Sequence, residues 1–321
     1  VTSEFMIYLA PLQGFTDFVY RKVYAGIFQG VDAYFIPYIT VQNAAILKKY
    51  EREILPQNNP QNRVVPQILA KDEEEVRFLS EILVHYGYTE INLNMGCPYP
   101  MVTKRGRGAG LLPDLEQVYR ILNTYFEHFD SALSVKLRAG LESPGEIERI
   151  VPVLNEFPLK EVILHPRIAR QLYKGETIDM AVDFAAKNLK HPLGYNGDIF
   201  SLEDYHRKAR QFPEIKNWMV GRGVLMNAFL PSEIMGIQLN EDEKRTALFQ
   251  FHQKMLEEYL ETTDNPGNAL NKMQQFWSYF SYHFENQAKA FKRIKKSKQL
   301  ALFKAEAGSI IGTERLCRES T

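Results

Sequence analysis

Short apolar runs that alternate with polar residues at a period of two recur along most of the chain. Longer stretches with apolar positions at helical spacing separate them. The runs predict strands at Ile7–Leu12, Ala33–Ile39, Val64–Ala70, Glu90–Cys97, Ser134–Arg138, Glu161–Pro166, Pro192–Asn196 and Trp218–Gly221. The intervening stretches predict helices at Asp72–Tyr86, Asp114–His128, Pro144–Glu156, Asp179–Asn188 and Leu202–Phe212. Strand–helix alternation implies parallel strands and an α/β fold. Eight such units fit a (β/α)8 TIM barrel. A doubly wound open sheet is the rival, but no G-x-G-x-x-G follows the first strand.

After Gly236 the pattern turns helical throughout. Asn240-Glu241-Asp242-Glu243 reads as a helix start with acidic residues in its first turn. Thr262 to Asn268 reads as a loop, and Phe276, Trp277, Phe280 and Phe284 then recur at helical spacing. The expected organisation is a TIM-barrel catalytic domain at 1–238 and a small all-helical domain at 239–321.

Composition narrows the functional classes. With 39 Lys+Arg against 39 Asp+Glu, a nucleic-acid partner would need a local patch, since the field of the whole molecule is neutral. The 2 cysteines, Cys97 and Cys317, give neither a disulfide framework nor a zinc spacing, and no metal is expected. They point to a reducing compartment, hence the cytoplasm. No apolar run is long enough to span a membrane, and no signal peptide is read. Met6 opens the first strand, so Val1–Phe5 read as an expression remnant.

The chemistry gathers at strand ends. Ile91-Asn92-Leu93-Asn94-Met95-Gly96-Cys97-Pro98 is a strand broken by Gly96 and Pro98, which leaves a thiol at its C-terminal tip. In a parallel barrel that end carries the active site. A free cysteine is more often a small buried hydrophobe, but breakers on both sides argue for a purpose. The other strands offer Ala10-Pro11-Leu12, Gln67, Lys136 with Arg138, and His165. Asn196-Gly197-Asp198 and Gly221-Arg222-Gly223 follow the last two strands, where this fold commonly holds a phosphate on backbone N–H groups. Arg222 can add a bidentate contact. Phosphate turns with a strand-five lysine suggest FMN. Lys136 would lie near its N1–C2=O2 edge, Gln67 would meet the N3–H and O4 edge, and Ala10 to Leu12 would offer backbone groups. Cys97 is then placed to protonate a carbon while a hydride reaches its neighbour. Asn94 can hold a substrate amide, and Arg138 or His165 a carbonyl or phosphate.

Two basic stretches remain. Lys104, Arg105 and Arg107 lie in a glycine-rich loop after Cys97 that can be a mobile lid or a polyanion contact. Lys289, Lys292, Arg293, Lys295, Lys296 and Lys298 form a run with no acid, in which Lys289, Lys292, Arg293 and Lys296 would share a helix face. Such runs are commonly solvated faces.

Together these residues resemble the tRNA-dihydrouridine synthases of bacterial type. Leu9-Ala10-Pro11-Leu12-Gln13-Gly14-Phe15-Thr16-Asp17 with Tyr20-Arg21 is similar to the family's L-A-P-M-x-G-x-T-D…F-R opening, with Leu12 in place of Met. Asn92 to Pro98 resembles its N-x-N-x-G-C-P, and Gly106 to Leu112 its G-x-G-x-x-L-L. Val135 to Arg138, His165-Pro166-Arg167 with Tyr173 and Gly175, and the two glycine turns follow in the family's order. The resemblance implies an FMN enzyme that reduces tRNA uridines to 5,6-dihydrouridine with NADPH as reductant. It implies Cys97 as the acid for uracil C5, and Pro11, Leu12, Gln67, Asn94, Lys136, His165, Asn196, Gly197, Asp198, Gly221 and Arg222 around FMN. Asn94, Arg138, Lys104, Arg105, Lys292, Arg293 and Lys296 would serve uracil and tRNA. A monomer without an obligate protein partner is expected. The alternatives are an FMN barrel acting on a free small molecule, and an idle RNA-binding barrel. Pro166 leaves the partner of His165 open.

Overall fold

A computed structural model describes residues 5–42, 45–61 and 63–317; most of the 1–5 segment read as a remnant lies outside them. Eight parallel strands close into one barrel in chain order. They are β1 (Met6–Leu9), β2 (Ala33–Ile39), β3 (Val64–Ile68), β4 (Glu90–Met95), β5 (Ala132–Gly140), β6 (Glu161–Ile168), β7 (Leu193–Tyr195) and β8 (Asn217–Val220). The helices between them are α1 (Phe18–Ala25), α2 (Lys48–Ile54), α3 (Glu73–His85), α4 (Pro100–Thr103), α5 (Leu115–His128), α6 (Glu146–Leu154), α7 (Asp179–Asn188) and α8 (Leu202–Gln211). Short α9 (Arg222–Met226) and α10 (Leu230–Ile234) lead to α11 (Glu241–Thr262), α12 (Pro266–Phe280), α13 (Gln287–Lys296) and α14 (Leu300–Thr313).

Local chemistry sets the helix starts. Asp17, Asp72, Asp114 and Ser201 each accept a hydrogen bond from a first-turn N–H of α1, α3, α5 and α8. Asn240 and Glu243 form a reciprocal capping box on α11. Pro266 stands in the first turn of α12, where its missing N–H costs nothing.

Alternation along the strands builds two layers. Tyr8, Ala10, Phe35, Val65, Ile163 and Met219 fill the barrel interior. The opposite strand faces join the surrounding helices in one large core that continues into α11, α12 and α14. At the bottom of the barrel Glu161 accepts from Tyr8 Oη at 3.2 Å and Asn217 Nδ2 at 2.7 Å, and Arg63 pairs with Glu90 at 3.0 Å. The opposite end stays open.

Two strands depart from regular pairing. Ile36 pairs with Pro66 and Ile39 with Ile68, so Pro37 and Tyr38 together oppose Gln67. Arg138 pairs with His165 and Gly140 with Ile168, so Pro166 and Arg167 together oppose Ala139. Each bulge contains a proline, which cannot donate to a ladder and is tolerated where pairing lapses. β6 continues through Pro166 to Ile168, and His165 Nε2 lies 3.3 Å from Arg167 Nη1.

The C-terminal helices pack on the α1 side of the barrel mouth. Tyr20, Tyr24 and Phe28 each meet Phe251 edge-on. Asp17 is the polar centre of this contact. It caps α1, accepts from Tyr259 Oη at 2.9 and 3.0 Å, and pairs with Lys272 at 2.9 Å. Lys272 also donates to the Gly14 carbonyl at 2.7 Å.

Candidate active site

The barrel mouth forms one pocket, and every strand-end residue singled out above lines it. They are Pro11, Leu12, Gln67, Asn94, Cys97, Lys136, Arg138, His165, Asn196, Gly197, Asp198, Gly221 and Arg222.

Cys97 is held by a chain of side-chain amides on β3 and β4 that reaches a hydroxyl on β5. Asn94 Oδ1 accepts from the backbone N–H groups of Gly96 at 3.0 Å and Cys97 at 2.8 Å. These two donors fix which end of the Asn94 amide is oxygen. Asn94 Nδ2 must then donate to Gln67 Oε1, at 2.6 Å, and Gln67 Nε2 to Asn92 Oδ1, at 2.7 Å. Asn92 Nδ2 reaches Ser134 Oγ at 2.9 Å, where the chain ends on a hydroxyl. Gln67 and Asn94 thus keep one free N–H each for a ligand, fewer than the sequence reading assumed.

The thiol itself is 7% exposed. Burial pushes its pKa up, while the Tyr99 backbone N–H, the Tyr38 hydroxyl, Arg138 and Lys136 pull it down. From below, Ala109 N–H donates to the Cys97 carbonyl at 3.1 Å. Gly108 fits beneath with φ +57; a Cβ there would lie 2.8 Å from the Cys97 Cβ.

The segment read as a mobile lid or a polyanion contact is folded. It forms α4 and a 3-10 turn at Gly108–Leu111, and Arg107 is tied to Glu75 by an ion pair. Lys104 and Arg105 are exposed outside the pocket.

Positive charge dominates the pocket. Lys136, Arg138 and Arg222 line it, against the one lining carboxylate Asp198. No hydrogen bond or ion pair from the described residues reaches the Lys136 ammonium. Burial and then Arg138 lower its pKa to about 7. Burial, followed by Arg138, Lys136, Arg167 and Arg222, drives His165 far below its ordinary value, so its ring is neutral. Arg138 spends two donors on the backbone, Gly96 O at 3.0 Å and Ile168 O at 3.0 Å, which ties the tips of β4 and β6 together.

The two glycine turns make a cradle. Asp198, at φ 26, binds Arg167 in a two-pronged ion pair and Arg222 at 2.9 Å. Burial raises the Asp198 pKa, but the two arginines outweigh it and bring the carboxyl below its usual range. Asn196 Nδ2 donates to the Met219 carbonyl at 2.7 Å and joins the two turns. A Cβ on Gly221 would come 3.3 Å from the Ala10 Cβ. The Tyr173 ring sits between the Arg138 and Arg222 guanidiniums, 5.3 and 5.0 Å from its centroid.

One expected donor is already spent. The Leu12 N–H goes to Thr16 Oγ1 at 2.8 Å, and Thr16 donates on to the Ala10 carbonyl at 3.1 Å. In the Ala10 to Leu12 segment the Pro11 carbonyl and the side chains remain for a ligand.

Sequence reading missed several pocket walls. Tyr38, Phe15, Tyr99 and Phe200 line it, and so does Tyr279 from α12, edge-on to Phe15 at 5.0 Å. Phe15 lies inside a recognised motif and Tyr99 directly follows one, so both were findable; Tyr38 and Tyr279 carry no local signal.

The basic run forms α13, as expected, but Arg293 does not share its open face. It points at α14, to Glu306 Oε2 at 2.7 Å, Glu314 Oε1 at 3.3 Å and Ser309 Oγ at 3.2 Å. Ala290 and Ile294 define the buried stripe of the helix, and Arg293 flanks it. Lys292 and Lys296 are exposed.

Comparison with known proteins identifies the family and the fold. Residues 8–307 match the family described as dihydrouridine synthase (Dus). A probable tRNA-dihydrouridine synthase of Helicobacter pylori is 28% identical over 260 residues, covering 79% of this chain and 77% of that protein. The tRNA-dihydrouridine(16) synthase of Neisseria meningitidis serogroup B is 28% identical over 236 residues, 71% of this chain and 70% of that protein. Among solved structures, the old yellow enzyme from Trypanosoma cruzi superposes with a TM-score of 0.52 at 8% identity, over 75% of this chain and 91% of that one, which shows a shared barrel fold. No helix among the described residues is long and apolar enough to cross a membrane. By its sequence over nearly the whole chain, the protein belongs to the dihydrouridine synthase family.

Proposed function

We propose that the protein reduces uridines in tRNA to 5,6-dihydrouridine, with FMN held at the barrel mouth and NADPH as the source of electrons. The observation that carries this reading is one pocket that unites a buried thiol, an unpaired lysine and a glycine–arginine cradle.

The residues fit the cofactor. Three lining cations against one carboxylate leave positive charge for a phosphate and for the anionic form of a reduced flavin. Gly197, Gly221 and Arg222 would take the phosphate, and Asn196 and Asp198 would keep the two turns in register. Lys136, Gln67, Asn94 and His165, with the Pro11–Leu12 surface, would face the ring. When bound, FMN would supply a hydride from N5 to uracil C6, and NADPH would replenish it.

The remaining work belongs to the chain. Cys97 would give its proton to C5, completing addition of H⁻ and H⁺ across the C5=C6 bond. A pKa raised by burial keeps the thiol protonated at neutral pH, as a general acid requires. Asn94 has one N–H left to orient the uracil, and Arg138 keeps β4 and β6 in place beside it. A uridine inside folded RNA must be turned out of its stack to reach this depth. The helical part would grip the RNA as a tRNA-binding domain, with Lys292 and Lys296 on one face and Lys104 and Arg105 near the mouth meeting phosphates.

Purified protein should be yellow and release FMN on denaturation. Mapping dihydrouridine in tRNA from cells lacking the protein, and from cells resupplied with it or with Cys97→Ala, tests the activity. Dihydrouridine restored equally by Cys97→Ala would remove the thiol from its role. A protein that takes up no FMN would sink the whole reading.

A further inference from the structure

The tyrosine aimed at Cys97 has no counterpart in the motifs. Tyr38 belongs to the β2 bulge, where Pro37 and Tyr38 together oppose Gln67. A bulge re-aims its side chain and often does so beside an active site. Here it turns Tyr38 into the barrel mouth. Tyr38 forms a small cluster with Leu69, Cys97 and Val102, apart from the main core. Tyr38 and Cys97 line the same pocket, and the Tyr38 hydroxyl and the Tyr99 backbone N–H both favour the ionised form of the Cys97 sulfur. Lys136 and Arg138 of β5 and the Tyr173 phenol from beyond β6 are the other charged or titratable groups acting on that sulfur. No carboxylate is among them. Tyr50 and Tyr99 face the Tyr38 hydroxyl.

This surrounding suits one half of a proton transfer. When the thiol gives up its proton, the sulfur becomes an anion in a site where burial disfavours charge. A tyrosine hydroxyl packed beside the sulfur is placed to donate to it. Preorganised donors of this kind stabilise charge as it develops.

We propose that Tyr38 is a positioning residue for the reaction: its hydroxyl holds the Cys97 sulfur toward the pocket and donates to it as the proton leaves. The proposal rests on Cys97 being the proton donor. The proton passes from sulfur to carbon, the thiolate takes a hydrogen bond from Tyr38, and water later returns a proton to the sulfur. Simple space-filling would instead need only the ring.

The test reads the thiol directly. Cys317→Ser removes the exposed second thiol, and the rate of Cys97 alkylation by iodoacetamide is followed against pH. Tyr38→Phe should move the midpoint up by about one pH unit, the usual scale for losing one donor to an anion. Bound FMN content checks that the pocket is intact. Single-turnover uridine reduction should slow roughly ten-fold, the rate equivalent of one such unit. A 3-fluorotyrosine placed at position 38 keeps the ring and donates more strongly, so it should move the midpoint down. That arm also decides the matter if Tyr38→Phe fails to fold. Unmoved midpoints overturn the proposal, as does a moved midpoint with unchanged uridine reduction. If Cys97→Ala keeps full activity, the role of Cys97 fails, while the alkylation midpoint still reports whether Tyr38 holds the sulfur.

Discussion

Asn94 is the residue on which the turn around Cys97 depends most. Asn94→Ala removes the acceptor for the Gly96 and Cys97 N–H groups and the donor for Gln67 Oε1. Gln67 Oε1 faces the pocket and can take water. The two N–H groups have no second acceptor among the described residues, and each buried donor left unpaired costs roughly 1–3 kcal/mol. Taken at the low end for the half-buried Gly96, the loss is about 2–4 kcal/mol. Asn94→Asp behaves differently. Its carboxylate still accepts from both N–H groups but repels Gln67 Oε1. The amides of Gln67 and Asn92 can turn over together, because Ser134 Oγ at the end of the chain can donate as well as accept. The aspartate should therefore fold nearly as well as the parent. Its charge should raise the pH midpoint of Cys97 alkylation by opposing the thiolate. Urea unfolding and iodoacetamide alkylation measure the two effects. The reasoning is refuted if Asn94→Ala loses less than about 0.5 kcal/mol, or if Asn94→Asp is as unstable as Asn94→Ala.

Lys136 links stability to pH in the cofactor-free protein. Its pKa falls from 10.5 to about 7 on folding, so between those values the unfolded chain holds a proton the folded one lacks. Stability from this group therefore rises with pH through that window, by at most about 1.4 kcal/mol per unit. Lys136→Met should abolish that slope and raise the urea midpoint below about pH 7; equal slopes in both proteins would count against the burial argument. Gly108→Ala must hold φ +57 and bring a Cβ 2.7 Å from the Cys97 carbonyl oxygen, whereas Gly106→Ala at φ +68 meets nothing within 4 Å. The first should cost roughly 2–4 kcal/mol and the second about 1 kcal/mol in urea unfolding. Tyr259→Phe leaves Asp17 without its hydroxyl donor and should cost about 1.5–3 kcal/mol, the worth of a hydrogen bond to a charged group, read by the same assay.

The eight strands were legible because each is a short apolar run, most of them closed by Gly, Pro or Asn. Their ends were less so. The first, third and fourth were read too long, since Leu12, Ala70 and Cys97 leave the ladder to enter the mouth. The sixth was read too short, because Pro166 resembles a terminator and instead occupies a bulge. Helices α1 and α2 were not read at all; they span 8 and 7 residues, too short for a clear helical period. Pocket residues on motifs were found, since glycine turns and a thiol at a strand tip have local chemical signatures. Tyr38 looked like one more alternating aromatic in a strand. Arg293 looked like part of a basic face, because the acids that claim it lie on a later helix.

Tyr279 makes the pocket a joint product of barrel and helices. A truncated protein ending near Gly236 would lose more than the proposed grip on RNA: it would lose a wall of the cavity, the partner of Phe15, and both side chains that anchor Asp17. Chimeras that graft another relative's helices onto this barrel meet the same constraint. The incoming helices must bring a ring for Phe15 and a donor pair for Asp17, or the loop carrying Pro11 and Leu12 is left unsupported. On the function proposed above, selectivity for a tRNA position and the shape of the cofactor pocket are not independently exchangeable parts, and transplants that respect only the linker after Gly236 should lose cofactor retention along with specificity.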